Sequence, residues 1–317
     1  MADILNKLNS ANYITVKVTD NAVINGNNLL AAYALAKTTN PNGTVKSSTN
    51  RLDIILPPAT YDLGTQSLIL DTQFIDIIGS TNNRNNHYIK SNVGISNRGT
   101  VMQTANNVQL FNLTIENTNT TFAPTNNTST DPSAYFPDSN LPLTYIENVI
   151  FLGRIGQTSF GAKSMRFAIN YSGTYVNCTG GDFSFGGFSQ GNTSVAVSGT
   201  FINCTGGNFS FGGTNSTPSA VSPLLNGTFT NCIGGGFSFG GFSTLNSASG
   251  ATLSGTFTSC TGGDYSFGGA YTINNSILNG NFTNCTGGNF SFGANNSVSN
   301  SILSGTFINC LGGLNSF

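Results

Sequence analysis

Tryptophan is absent, histidine occurs once, and only 7% of the 317 residues are charged, against about 25% in ordinary soluble domains. The shortage is uneven. All eleven lysines and arginines lie at or before Arg166, and beyond it the only charges are Asp182 and Asp264. A region without cations cannot neutralise phosphates, which argues against nucleic acid as a partner, and polybasic attachment to a membrane fails for the same reason. No apolar run is long enough for a membrane span, and residues 1–8 lack the apolar core of a signal peptide. The chain is therefore expected to begin in a cytosol. A lone histidine, His87, and the lack of any C-x-x-C pair leave no recognisable ligand set, so neither a metal nor a cofactor is expected.

What is present is one sentence repeated six times. A small polar residue, Gly, Thr and an aromatic lead into x-Asn-Cys-Thr-Gly-Gly-x-Phe-Ser-Phe-Gly, with the beat at Cys178, Cys204, Cys232, Cys260, Cys285 and Cys310. The spacings are 26, 28, 28, 25 and 25 residues, the period of a solenoid whose units bury their apolar sides by stacking on one another. Apolar residues fall two apart within each unit, as Phe209 and Phe211 do around Ser210 and Phe237 and Phe239 around Ser238. This reads as strand, with both rings on one face and the serine on the other. Gly-Gly and Ser/Asn-Gly pairs supply the turns. Short strands and turns in a coil of about 25 residues predict an all-β parallel β-helix, with coils about 4.8 Å apart.

Stacking turns each repeated position into a column. Phe209 with Phe237, and Phe211 with Phe239, are predicted core ladders, and the six cysteines form another. One thiol per coil at an inward position behaves as a small buried hydrophobe, and parallel side-chain vectors disfavour bonding between neighbours, so free thiols are expected. Asn177, Asn203, Asn231, Asn284 and Asn309, interrupted by Ser259, suit an amide ladder.

Three regions follow: an N-terminal segment with a helix (1–50), irregular first coils (51–166) and regular coils (167–317). The helix is predicted over 28–37, where the chain is alanine-rich with apolar residues at helical spacing. A Pro-, Asn- and Thr-rich stretch at 117–144 breaks the pattern as a long loop, with Tyr135 and Phe136 as candidate contact residues. The order of helix, then Ile54-Ile-Leu-Pro-Pro-Ala-Thr-Tyr61, then a strand closing on Ile77-Ile-Gly79, then Val108-x-Leu-x-Asn-Leu-Thr-Ile115 resembles the opening of the right-handed parallel β-helices of the pectate-lyase-like superfamily. Phage and viral tailspike- and fibre-type proteins share that opening. The resemblance implies a right-handed coil plugged at its start by the helix; its motifs are packing motifs, which specify fold better than function.

Enzymes of that superfamily, as the resemblance implies, carry acidic clusters on central coils. Here Asp182 and Asp264 sit three coils apart, about 14 Å, too far for the paired carboxylates of glycoside hydrolysis. Asp53, Asp62, Asp71 and Asp76, with Arg51 and His87, are the remaining candidates, equally explained by capping and solubility, so no catalytic residue is assigned. An outward threonine row, Thr174, Thr200, Thr228, Thr256 and Thr306, suggests ice binding, but Asn281 breaks it and no Thr-x-Thr doublet is read beside it. Structural assembly is the favoured reading. Phe307, Leu311, Leu314 and Phe317 are expected to lack a covering layer, and Ile4, Leu5, Leu8, Tyr13, Ile14 and Val16 are the candidate surface to meet them. The expected partner is a second copy, in a fibre, spike or surface layer of a virion or cell surface. A glycan-binding or glycan-cleaving module and a cytoplasmic location are the alternatives.

Overall fold

The computed structural model describes residues 12–95, 98–119, 133–137, 141–152, 169–182, 184–186, 195–213, 224–241, 251–269, 273–274, 276–294, 298–299 and 301–317. Its backbone is an all-β parallel β-helix. One sheet runs the length of the described chain, from Tyr13–Thr15 through Leu52–Leu56, Ile75–Gly79, Gln109–Asn117 and Tyr145–Leu152 to the repeats, ending at Thr306–Ile308. Every pairing along that path is parallel, and the repeats superpose without slip: Phe201, Phe229, Phe257, Phe282 and Phe307 are register partners in turn. A six-stranded sheet from Ile169–Tyr171 to Ile302–Leu303 forms a second wall. Among the described residues, no helix is long and apolar enough to cross a membrane.

The helix spans Ala22–Thr38, six residues earlier than its sequence signal. Asn21 caps it, its Oδ1 accepting from the Val23 and Ile24 amides at 2.9 and 3.2 Å. The poor helix formers that hid its first turns have tertiary roles. Buried Asn25 accepts from the Thr19 N–H at 2.7 Å and donates to the Thr60 carbonyl, and a side chain at Gly26 would collide with the Asp62 carbonyl. Leu29, Ala32, Tyr33 and Ala36 then join the core beneath the first coils.

Inside the repeats, Phe201, Phe229, Phe257, Phe282 and Phe307 form one stack, and Phe185, Phe211, Phe239, Phe267, Phe292 and Phe317 a second, with edge-to-face contacts between them. The Phe-Ser-Phe segment corrects the strand reading. Phe209 and Phe211 have φ of 56° and 50°, and Phe237 and Phe239 have 56° and 48°. These left-handed residues make a turn, and the strict alternation of faces fails there. Ser210 and Ser238 are fully buried. Phe209 and Phe237 are half-buried and leave the core for an outer stack, continued by Tyr265 and Phe290. Phe211 and Phe239 remain inside.

The asparagine column marks another left-handed corner. Asn177, Asn203, Asn231, Ser259, Asn284 and Asn309 all have φ between 51° and 54°, a conformation asparagine tolerates better than most residues. Their amides link coil to coil: Asn203 donates to Asn177 at 3.1 Å, Asn231 to Asn203 at 3.2 Å and Asn309 to Asn284 at 3.3 Å.

All six cysteines are free, five fully buried and Cys310 half-buried. Each thiol from Cys204 onward donates to a carbonyl one coil below, as Cys232 does to Phe201 at 3.3 Å. Hydrogen bonding with the Cys232 thiol, with burial behind it, pushes Cys260 up to about 12. Native protein at pH 8 should therefore react slowly with iodoacetamide, Cys310 first, and take up six equivalents only after denaturation. Cys232→Ser should cost about 1–3 kcal/mol, because a more strongly polar hydroxyl enters an apolar column. Rapid labelling of all six in folded protein would contradict the column.

Candidate functional site

The two repeat carboxylates have structural partners. Asp182 Oδ1 accepts the Asn208 N–H and Asp264 Oδ1 the Asn289 N–H, each at 2.7 Å, from the next coil. Asn208 and Asn289 continue the pattern to Gly236 and Leu314 at 2.8 Å. The position is thus an acceptor ladder with one rung lacking a side chain, at Gly236. A Cβ there would meet only Asn208 Oδ1 at 3.5 Å and the Asp264 carbonyl at 3.6 Å, ordinary contacts. Gly236→Asn should raise stability by about 1–2 kcal/mol in urea denaturation, from an added hydrogen bond and a less flexible unfolded chain. An unchanged or lowered midpoint would mean the ladder contributes nothing.

The acids of the first coils are likewise engaged. Asp62 pairs with Lys90 at 3.3 Å and Asp71 with Lys37 at 2.7 Å. Asp53 and Asp76 are register partners on neighbouring strands, both buried. Asp76 is gripped by Arg51, whose Nε donates to Oδ2 at 2.6 Å.

A polar notch lies where the loop after Gly79 overhangs the first asparagine corners. The turn Arg84–Asn86 is capped by Asn83, which accepts from the Asn85 N–H at 3.2 Å. Asn148 fixes the loop from below, donating to the Asn82 carbonyl and to Asn112 Oδ1, both at 2.8 Å. Arg84 reaches across to the Asn177 carbonyl at 2.9 Å and Thr179 Oγ1 at 3.2 Å. The notch is an open surface recess of about 450 Å³, with Asn82, Asn83, Arg84 and Asn85 on one side and Asn148, Asn177, Thr179, Asn203 and Thr205 on the other. Every lining group is an amide, hydroxyl or guanidinium. Sequence reading missed it because its two sides lie about a hundred residues apart.

His87 anchors the same loop from inside. It is fully buried, with Nδ1 donating to the Asn112 carbonyl at 3.0 Å and Nε2 3.5 Å from Ser80 Oγ. Gly79 is required beneath it, since a Cβ would strike the imidazole and the Asn112 carbonyl. Burial lowers the His87 pKa below its usual 6.5. A depressed histidine pKa means that the unfolded state binds more protons, so stability falls as pH drops through about 6.5 toward the folded value. It is the only histidine in the chain. Between pH 7.5 and 5.5 the urea midpoint should fall by the equivalent of about 1 kcal/mol, and His87→Gln should remove most of that slope. An identical slope in the variant would place the titration elsewhere.

Outside the main sheet's wall, the repeats present parallel columns of short uncharged residues. One contains Thr174, Thr200, Thr228, Thr256, Asn281 and Thr306; two residues on is another, with Val176, Ile202, Thr230, Thr258, Thr283 and Ile308. Thr-x-Thr doublets therefore exist at 228/230 and 256/258, contrary to the sequence reading, which followed a single row.

The other expected contact residues divide. Tyr135 and Phe136 are not surface anchors: they lie in the strand Ser133–Pro137, which pairs with Gly99–Gln103. Both are buried, and the Tyr135 hydroxyl donates to Gln103 Oε1 at 2.8 Å. The proline-rich surroundings concealed a strand that closes the core. Of the C-terminal four, Phe307 and Phe317 occupy inward columns, stacked on Phe282 and Phe292. Leu311 and Leu314 stand in outward columns, beside Thr286 and Asn289, so their exposure does not come from a missing layer. At the other end, Val16 is a core residue, Ile14 is half-buried and Tyr13 is exposed; Ile4, Leu5 and Leu8 lie outside the described residues.

No protein-family model matches the chain, and no curated protein matches it. Among solved structures it is similar to pectin methylesterase PemA from Erwinia chrysanthemi, at 11% identity over 88% of this chain and 80% of that one, with a TM-score of 0.40. A likeness of that strength carries nothing about activity.

Proposed function

We propose that the chain is a structural β-solenoid, a stiff rod serving as a subunit of a fibre, spike or surface layer on a virion or cell surface, with copies of itself as partner. The observation that carries this reading is the commitment of the repeat to coil-to-coil contact. Phenylalanine stacks, the thiol column, the amide ladder and both repeat carboxylates all bond to a neighbouring coil. Such a rod resists bending because each coil is held at several points around its circumference. Electron microscopy and sedimentation over a wide concentration range test the proposal. Elongated particles that associate as concentration rises are expected; single monomers at every concentration would overturn it.

A second reading is favoured by the notch: recognition of a polyhydroxylated glycan. Side-chain amides and hydroxyls both donate and accept, which suits sugar hydroxyls, and Arg84 adds donors. Binding is preferred to cleavage because the repeat carboxylates already accept backbone amides. A glycan array compared with one probed by Arg84→Ala protein tests this. Signals lost in the variant support the site; an array without signals removes it.

A further inference from the structure

We propose that the outer face of the main sheet, across the regular coils, is an ice-binding surface. The argument begins with flatness. Neighbouring strands of ordinary sheets rotate by about 20–25°, which would fan any array of side chains. Here Phe229 and Phe257, Phe257 and Phe282, and Phe282 and Phe307 each stack at 4.8 Å with 2° between ring planes. Successive coils are therefore nearly pure translations of one another along this wall. The residues that alternate with those rings inherit the same translation and stand on a flat grid.

The grid has two axes. Along the rod the step is the coil spacing, and across each strand Thr228 and Thr230, or Thr256 and Thr258, are two residues apart, about 6.6 Å. Water oxygens on the faces of hexagonal ice form rows of comparable pitch in two directions. Threonine suits such a lattice because its branched Cβ restricts χ1, so methyl and hydroxyl keep fixed positions without further ordering. Thr228 and Thr256 are exposed, and Thr230, Thr258 and Thr283 are half-exposed.

Charge supplies the second condition. Ionised groups hold water in shells that do not match a lattice, and from Thr200 to Ile308 neither column contains one. Where threonine is replaced, the substitutes are Asn281, Ile202 and Ile308, which remain short and neutral. The inference is independent of assembly, because a single rod presents the whole face.

Uptake of fluorescently labelled protein into a slowly growing ice hemisphere is the test. Wild type should enter the ice at a level several-fold above an inert protein of similar size. Thr256→Lys should fall to the inert level, with circular dichroism unchanged. Thr252→Lys, on the second sheet, should enter as wild type does. Exclusion of wild type, or equal uptake of Thr256→Lys, overturns the proposal. So does sedimentation showing that wild type dimerises and Thr256→Lys does not, which would assign the face to a second copy.

Discussion

Replacing Phe257 by alanine is expected to destabilise the protein by about 3–5 kcal/mol in urea denaturation, the range for emptying a buried aromatic site. Phe257 is fully buried and touches rings on every side. It stacks on Phe229 and Phe282 at 4.8 Å and meets Phe239 and Phe267 edge-on at 6.3 and 6.1 Å. Collapse around the cavity is opposed, because neighbouring rings are fixed by the coils above and below. Tyr265→Ala supplies the comparison. Tyr265 stacks equally closely, on Phe237 at 4.8 Å and Phe290 at 5.2 Å, but in the half-buried outer column. Its loss should cost about 1–2 kcal/mol, mostly ring–ring attraction with little cavity. Equal costs would mean that stacking, rather than enclosure, dominates the repeat. Phe257→Ala should also broaden the transition, since coils on its two sides are coupled chiefly through that layer.

The period was the most legible feature of the chain, because the unit that repeats in sequence is also the unit that stacks. Cysteine spacing alone placed Phe211 and Phe239 in one column, where their rings stack at 4.8 Å. The Phe-Ser-Phe turn was misread for a physical reason. Alternation reports faces only while φ stays negative, and two left-handed residues around Ser210 bury the serine beside Phe211 and turn Phe209 outward. Ser133–Pro137 was hidden differently: its strand is defined by a partner at Gly99–Gln103, and nothing local distinguishes it from a loop. The notch was illegible for the same reason, since Arg84 meets Asn177 only after intervening coils have wound past.

Arg51→Met should be comparably damaging, at about 3–5 kcal/mol, because it strands a buried carboxylate. Asp76 is fully buried, and its Oδ1 also accepts the Gln109 N–H at 2.8 Å. Arg51 bridges onward to the Asn107 carbonyl at 2.6 Å and lies 5.5 Å from the Phe74 ring centroid. The pair thus joins the strands at Leu52–Leu56, Ile75–Gly79 and Gln109–Asn117. The double variant Arg51→Met/Asp76→Leu separates the two contributions. Removing both charges abolishes the desolvation cost, so much of the lost stability should return. Recovery should stop about 1–3 kcal/mol short of wild type, because the Gln109 N–H and the Asn107 carbonyl then lack these charged partners. Three urea curves decide it. A single variant within about 1 kcal/mol of wild type would mean that water reaches Asp76, and a double variant no better than Arg51→Met would mean that the hydrogen bonds, not the charge, join these coils.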